Sequence, residues 1–421
     1  MTANWKIVPL GEIAEVKLGK MLDKAKHQTG RKFPYLRNIN VRWGAVETDD
    51  VFEMHFEDDQ VERFSLRAGD VLVCEGGEPG RAAVWNGHVA EMKFQKAIHR
   101  VRFNVPFEAR LLVYLLESLA KSGGLERRFT GSTIKHFTRE AFVQLPIPFP
   151  PEDEQRRIVA EIEKQFTRLE AGVAALRRVQ ANLKRYRAAV LKAACEGDWP
   201  QRPLGEIAEV RLGKMLDKTK HVSGRKLPYL RNVNVRWGKT ETDDLREMYF
   251  EEDQLERYGL KAGDVLVCEG GEPGRAAVWS GHLPEMKYQK AIHRVRFNIP
   301  FDPRLLVWLL ERLALTGGLE RRFTGSTIKH FTREAFVELP IPVPPLAEQT
   351  RIVAEVERRL SVVEELESVV TANLQRATRL RQSILQRAFS GQLVRQETVA
   401  RPNEKALAKS ARSRHIAAGP E

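Results

Sequence analysis

Residues 9–24, PLGEIAEVKLGKMLDK, return at 203–218 as PLGEIAEVRLGKMLDK, an offset of 194 residues. That offset holds without a gap through EQRRIVAEIE and EQTRIVAEVE, with about four-fifths of the positions identical. A repeat this long decides the architecture before any local reading does. Its period far exceeds the roughly 20–50 residues of solenoid and propeller repeats, so each copy must be a whole domain with whatever follows it. Two copies this alike should bind the same kind of thing.

Each copy ends in a long helical stretch, the first from about Glu152 to Ala194 and the second from about Leu346 to Ser390. In the first, Ile158, Ile162, Phe166, Leu169, Val173, Leu176, Leu183 and Val190 recur at steps of three and four, which places them on one stripe of a helix. In the second, Ile352, Val356, Leu360, Val363, Leu366, Val370, Leu374, Ala377 and Ile384 do the same. At 1.5 Å per residue each helix is roughly 60 Å long, and an apolar stripe of that length needs another long helix to cover it. The nearest partner is the other copy, in a mutual coiled coil. The alternative is that each helix packs on its own globular domain.

The 421 residues leave room for two or three domains. A net charge of +13 points to a polyanionic partner, most often nucleic acid. The three cysteines, Cys74, Cys195 and Cys268, lack the spacing of a disulfide framework or a zinc site and predict a reducing, cytoplasmic setting. No stretch has the apolar length of a membrane span, so no membrane partner is expected.

Within a copy, Trp5 to Val16 and PYLRNINVRWG (34–44) read as strand, loop and strand. LRAGDVLV feeds a buried strand ending at Cys74, EGGEPGR makes a glycine-rich loop, and AAVW is the next strand. The alternation in KFQKAIHRVRF suits one half-buried strand. After Pro106 comes an apolar helix, ARLLVYLLESLAK, closed by Gly123 and Gly124. Then follow a basic loop, a short helix that Thr138 can cap, and the extended run LPIPFPP.

Three motifs suggest chemistry of the chain's own. NVPF (104–107) and NIPF (298–301) echo the loop with which amino-methyltransferases hold a flipped adenine, but the first proline is missing and no glycine-rich turn would seat S-adenosylmethionine. Asp70, Glu91 and Lys93, with Asp264, Glu285 and Lys287, have the spacing of a metal-dependent nuclease, although a carboxylate beside a glycine is also ordinary turn chemistry. GGEPGR offers backbone N–H groups to a phosphate, against the repulsion of Glu75 and Glu78. The simpler reading of all three is a turn.

What remains is a set of long donors in loops. Arg37, Asn38, Asn40 and Arg42 sit in YLRNINVRW, Arg81 closes the glycine-rich loop, and Gln95, Lys96, His99 and Arg100 lie in FQKAIHR. Arg127, Arg128, Thr130, Ser132, Lys135 and His136 follow in ERRFTGSTIKH. The second copy repeats the set as Arg231, Asn232, Asn234, Arg236, Arg275, Gln289, Lys290, Arg294, Arg322, Thr324, Ser326, Lys329 and His330. Arg, Asn, Gln and Lys can pair with purine edges in the major groove, while Lys, Ser and Thr suit phosphates. The mixture fits a sequence reader on double-stranded DNA.

Taken together these features resemble the specificity subunit of Type I restriction-modification systems. The resemblance rests on the doubled domain, the junctions LPIPFPPEDEQRRIVAEIE and LPIPVPPLAEQTRIVAEVE, the loops GSTIKHF and the ending RLRQSILQRAFSGQLV, and it covers about Pro9 to Val394. It implies an α+β, multidomain chain with two mixed α/β target-recognition domains separated by two long antiparallel helices. The domains are 1–150 and 199–344, the central conserved helix 151–198, the C-terminal conserved helix 345–394, and 395–421 a disordered basic tail. It also implies a non-catalytic subunit on which two methyltransferase subunits and two restriction/translocase subunits assemble. S-adenosylmethionine, ATP and magnesium would belong to those partners, and this chain would hold no cofactor.

One departure from the family pattern is informative. The recognition domains of such subunits usually differ, whereas here they are nearly the same. Two equal readers on a DNA dyad read an inverted repeat, so the expected target is split and palindromic or nearly so. Val46/Thr240, Phe52/Arg246, His55/Tyr249 and Lys121/Leu315 are the exchanges that can make the halves differ. The rival readings are a stand-alone methyltransferase or nuclease, and a coiled-coil scaffold that binds DNA without sequence preference.

Overall fold

The computed structural model describes residues 5–22, 29–216, 223–325, 327 and 329–394. The chain forms two compact units, one of residues 1–174 with 374–421 and the other of residues 175–373. The basic tail expected at 395–421 and Ser326 lie outside the described residues.

In the first unit the core sheet has four antiparallel strands in the order Ala14–Leu18, Ile98–Phe103, Val71–Cys74, Ala82–Val84. Both of its faces are covered. Because successive side chains of a strand point to opposite faces, the run VLVC divides between two cores. Val71 and Val73 pack with Leu112, Leu116, Phe137 and Phe142 on one side. Leu72 and Cys74 pack with Phe33, Tyr35, Phe56 and Phe94 on the other. Those aromatics come from a smaller mixed sheet in which Arg31–Leu36 lies antiparallel to Phe52–Phe56 and parallel to Lys93–Phe94.

The apolar helix spans Ala109–Lys121, as its pattern predicts, and Thr138 caps the short helix Arg139–Val143 through the Ala141 N–H. Two expectations are corrected. The stretch KFQKAIHRVRF is two strands in two sheets, joined by a bend at 95–97. Its residues Ile98, His99, Arg100 and Val101 are all buried, because the second sheet covers the face that alternation assigned to solvent. Trp5 to Val16 is likewise interrupted by a helical turn at Leu10–Ile13. The proline-rich run is a strand too, Pro146–Phe149 pairing antiparallel with Lys6–Pro9.

The two long helices are Glu152–Ala194 and Leu346–Phe389. In the first unit Ile158, Val159, Ile162 and Phe166 of the first long helix pack against Ile384, Leu385 and Ala388 of the second, with Leu111 of the domain helix completing the cluster. In the second unit Val190, Leu191 and Ala194 pack against Ile352, Val353, Val356 and Leu360, completed by Leu305 and Trp308. Within each unit the helices run antiparallel. The stripe is therefore shared between the other helix and the domain, so the two alternatives for covering it are both realised. The stripe is also narrower than its pattern: Leu366 is 43% exposed, with Val362 and Val369 beside it on the open side of the second helix.

A glutamine fixes each helix to its domain. Buried Gln155 accepts a hydrogen bond from the Glu108 N–H (2.8 Å) and donates to the Pro150 carbonyl (2.9 Å). Gln349 repeats this with Asp302 (2.7 Å) and Pro344 (2.9 Å). A buried amide left half-satisfied costs about 1–3 kcal/mol, so both ends of the side chain hold the junction.

Candidate nucleic-acid interface

The strand Val71–Cys74 runs out into the loop Glu75–Arg81, and this loop organises the segments singled out in the sequence. Glu75 donates its N–H to the Ala97 carbonyl (2.9 Å) and its own carbonyl accepts from Phe137 (2.8 Å). Asn38 donates its side-chain amide to the Gly76 carbonyl (3.2 Å), and Arg81 returns a bond to the Asn38 carbonyl (2.8 Å). A side chain at Gly76 would meet the His136 ring. Segments 37–42, 95–97 and 130–137, far apart in the chain, thus meet around one glycine-rich turn. The second copy makes the same bonds through Glu269, Gly270, Asn232 and Arg275.

The last two N–H groups of the turn are not free to cradle a phosphate. The Gly80 and Arg81 N–H groups already bond to the Cys74 and Glu78 carbonyls, and the Glu78 carboxylate takes Arg81 (2.8 Å) and the Trp43 indole N–H (2.9 Å). Gly77 and Gly80 have φ of 80° and 89°, which other residues adopt only under strain.

Several predicted base readers turn out to be scaffold. Arg100 is 1% exposed, donating to Glu15 (2.8 Å) and to the Ser65 carbonyl (2.9 Å), and Arg294 does the same with Glu209 (2.8 Å) and the Gly259 carbonyl (3.2 Å). His99 is buried and its Nε2–H donates to the Phe137 carbonyl at 2.7 Å. Against the expectation, Arg100, Arg294 and His99 are buried inside their domains rather than presented at the surface. Asn40 is also buried, accepting from the Arg37 N–H and donating to the Asp50 carbonyl (both 2.9 Å), as Asn234 does at its own turn. Asn38, Asn232, Arg81 and Arg275 have their polar groups engaged with the glycine-rich turn, and Arg37 is held by Asp50 (2.7 Å) while stacking 3.8 Å above the Phe52 ring. Arg231 keeps the ion pair, with Asp244 at 2.6 Å, but Arg246 replaces the ring.

The remaining candidates stand outward. Lys96 and Lys290 are exposed and Gln95 and Gln289 half-buried at the bend between sheets. Thr130 and His136 pair through their backbones, as do Thr324 and His330, closing a tight loop. That loop carries Ser132 and Lys135 in the first copy and Lys329 in the second, all exposed. Arg128 and Arg322 are half-buried at its base, and Arg42 and Arg236 are exposed and paired with Glu47 and Glu241.

The motifs that suggested enzymatic chemistry are structural. Both Asp70 oxygens are taken by Arg102 at 2.7 Å, and Asp264 is bound in the same way by Arg296. Lys93 is buried against Ser65 and the Phe33 ring. Phe107 of NVPF stacks between Phe103 and Phe149 rather than facing solvent. Among the described residues no His/Cys/Asp/Glu group has the arrangement to hold a metal, and no helix is long and apolar enough to cross a membrane.

A family model described as "Type I restriction modification DNA specificity domain" matches residues 2–175 and 196–368, one match per copy. Among characterised proteins the chain is 24% identical over 442 residues to the EcoBI specificity subunit of Escherichia coli, covering 95% of this chain and 88% of that one. It is 26% identical to the EcoKI specificity subunit of Escherichia coli K12 over 294 residues, spanning 65% of this chain and 63% of the relative. Among solved structures it shares its fold with a chain from work on complex assembly and conformational transition of the type I R-M system (TM-score 0.76, 21% identity, 93% and 99% of the two chains). The HsdS subunit of Thermoanaerobacter tengcongensis is also similar (TM-score 0.57, 20% identity, 92% and 97%). With the family model matching both copies over most of their length, the chain belongs to the Type I restriction-modification DNA specificity family, whose members are non-catalytic specificity subunits.

Proposed function

We propose that each of the two domains reads one half of a split DNA target, and that the half-sites are equal or nearly so and read as an inverted repeat. The observation that carries this is the repetition of the loop cluster: the same turn, the same bonds and the same exposed lysines occur in both copies. Equal surfaces recognise equal sequences. Exposed Lys96, Lys135, Lys290 and Lys329 serve the phosphates, which set position, while base edges supply specificity. The Phe52/Arg246 exchange beside Arg37 and Arg231 is where the halves would diverge.

The long helices then space the two readers and dock the modification subunits. Supporting this, Val362, Leu366 and Val369 fall at steps of four and three on the second helix and are left exposed within the second unit. Two modification subunits and two restriction/translocase subunits complete the assembly in this reading, bringing S-adenosylmethionine, ATP and magnesium with them. The test is the methylation pattern left in genomic DNA when the chain is co-expressed with its modification subunits. A split inverted repeat supports the proposal; two unrelated half-sites would contradict the equality of the readers.

A further inference from the structure

We infer that Ile39 and its counterpart Val233 are the apolar base contacts of the two readers, each set against the C5-methyl group of a thymine. The inference deepens the reading of the domains as sequence readers and rests on it. Ile39 is the middle residue of a single helical turn, Asn38–Asn40. Every polar side chain around it is turned back onto the protein: Asn38 to Gly76, Asn40 to Asp50, Arg37 to Asp50. Ile39 itself is 51% exposed, and Val233, in a turn with the same three anchors, is 44% exposed.

An exposed aliphatic residue is ordinary on a protein surface, and Ile134 of the 130–136 loop is exposed as well. Ile39 differs in its support. The turn is pinned to the glycine-rich loop on one side and to Asp50 on the other. Both copies place there a β-branched side chain, which has few χ1 states to lose on binding. The same glycine-rich loop also anchors the segments that carry the exposed cations Lys96 and Lys135. An aliphatic group on a pinned turn, in the same loop cluster as these cations, matches the thymine edge, whose methyl is the apolar group exposed in the major groove. Isoleucine exceeds valine by one methylene, so the first copy makes the larger contact.

The test uses the full chain with its modification subunits and the duplex that it selects, with deoxyuridine replacing thymine one position at a time. Removing the contacted methyl should weaken binding about three- to tenfold at one position in a half-site and little elsewhere. An Ile39→Ala chain should bind the thymine duplex with a similar loss and lose nothing more when that methyl is removed. Because Ile39 is exposed, its melting temperature should stay unchanged. A selected duplex whose uracil forms all bind alike overturns the inference and leaves the reader function standing. Equal loss for thymine and uracil forms with Ile39→Ala would indicate a wedge between base steps and also overturns it. Failure to select any sequence overturns both readings.

Discussion

Arg381 and Glu117, 264 residues apart, form a two-pronged ion pair, Nε to Oε1 at 2.7 Å and Nη2 to Oε2 at 3.2 Å. The 194-residue offset carries this pair onto Arg187 and Glu311, bonded at 2.6 and 3.1 Å. The arginine always comes from the helix of the other copy. Each recognition domain is thus fastened to the end of the helix that its sequence twin supplies, and the repeat is interlocked rather than merely tandem.

Glu117 is buried, so losing its cation leaves a charge without compensation. Arg381→Ala should lower the stability of the first unit by about 2–4 kcal/mol, somewhat below the roughly 3–5 kcal/mol for breaking a fully buried pair because Arg381 is 32% exposed. Glu117→Ala combined with Arg381→Ala should cost less than the sum of the single changes. Calorimetric melting of the two singles and the double checks this, and strict additivity would show that the pair is not coupled.

The open stripe on the second long helix gives a cleaner probe of partner binding than truncation, because truncation removes Ile384 and Leu385 from the core of the first unit. Leu366→Lys with Val369→Lys should reduce capture of the modification subunits at least tenfold while leaving the melting temperature within about 2 °C, as surface substitutions do. Unchanged capture would place the docking surface elsewhere.

His99 and His293 give the fold an acid limit. Burial pushes both below the usual histidine range, opposed in part by the bond to a backbone carbonyl, and His293 falls to about 4. For His293 the unfolded chain therefore binds more protons than the folded one between about pH 6.5 and pH 4, and stability rises with pH across that window, with His99 acting in the same direction. His293 contributes a slope of up to about 1.4 kcal/mol per pH unit in that window. Melting temperature should be flat above pH 7 and fall progressively below 6.5. In His293→Gln the fall attributable to the second unit should be smaller; an identical pH profile would assign the acid sensitivity to other groups.

The elements governed by local pattern were legible in the sequence. The domain helix at Ala109–Lys121, the Thr138 cap and the two long helices follow from periodicity and capping chemistry. The positions of polar side chains were not, because direction depends on what covers each face. Arg100 and His99 lie in an alternating run that reads as half-solvated, and a second sheet buries it on both sides. The RNIN turn looked like a row of readers. In the structure Asn40 caps the turn and Asn38 anchors it, leaving the apolar Ile39 outward. EGGEPGR reads locally as a plain turn, yet it is the hub of the loop cluster, and identity in both copies is its signal in the sequence.

The most direct test of a paired reader is selection from a random duplex pool by the chain purified with its modification subunits, followed by sequencing of the bound fraction across a range of salt. Two matching half-sites in inverted order are expected, separated by a gap of fixed length and free sequence, with salt lowering affinity for all duplexes alike. Salt-dependent binding without an enriched sequence would contradict it and leave a charged scaffold in its place.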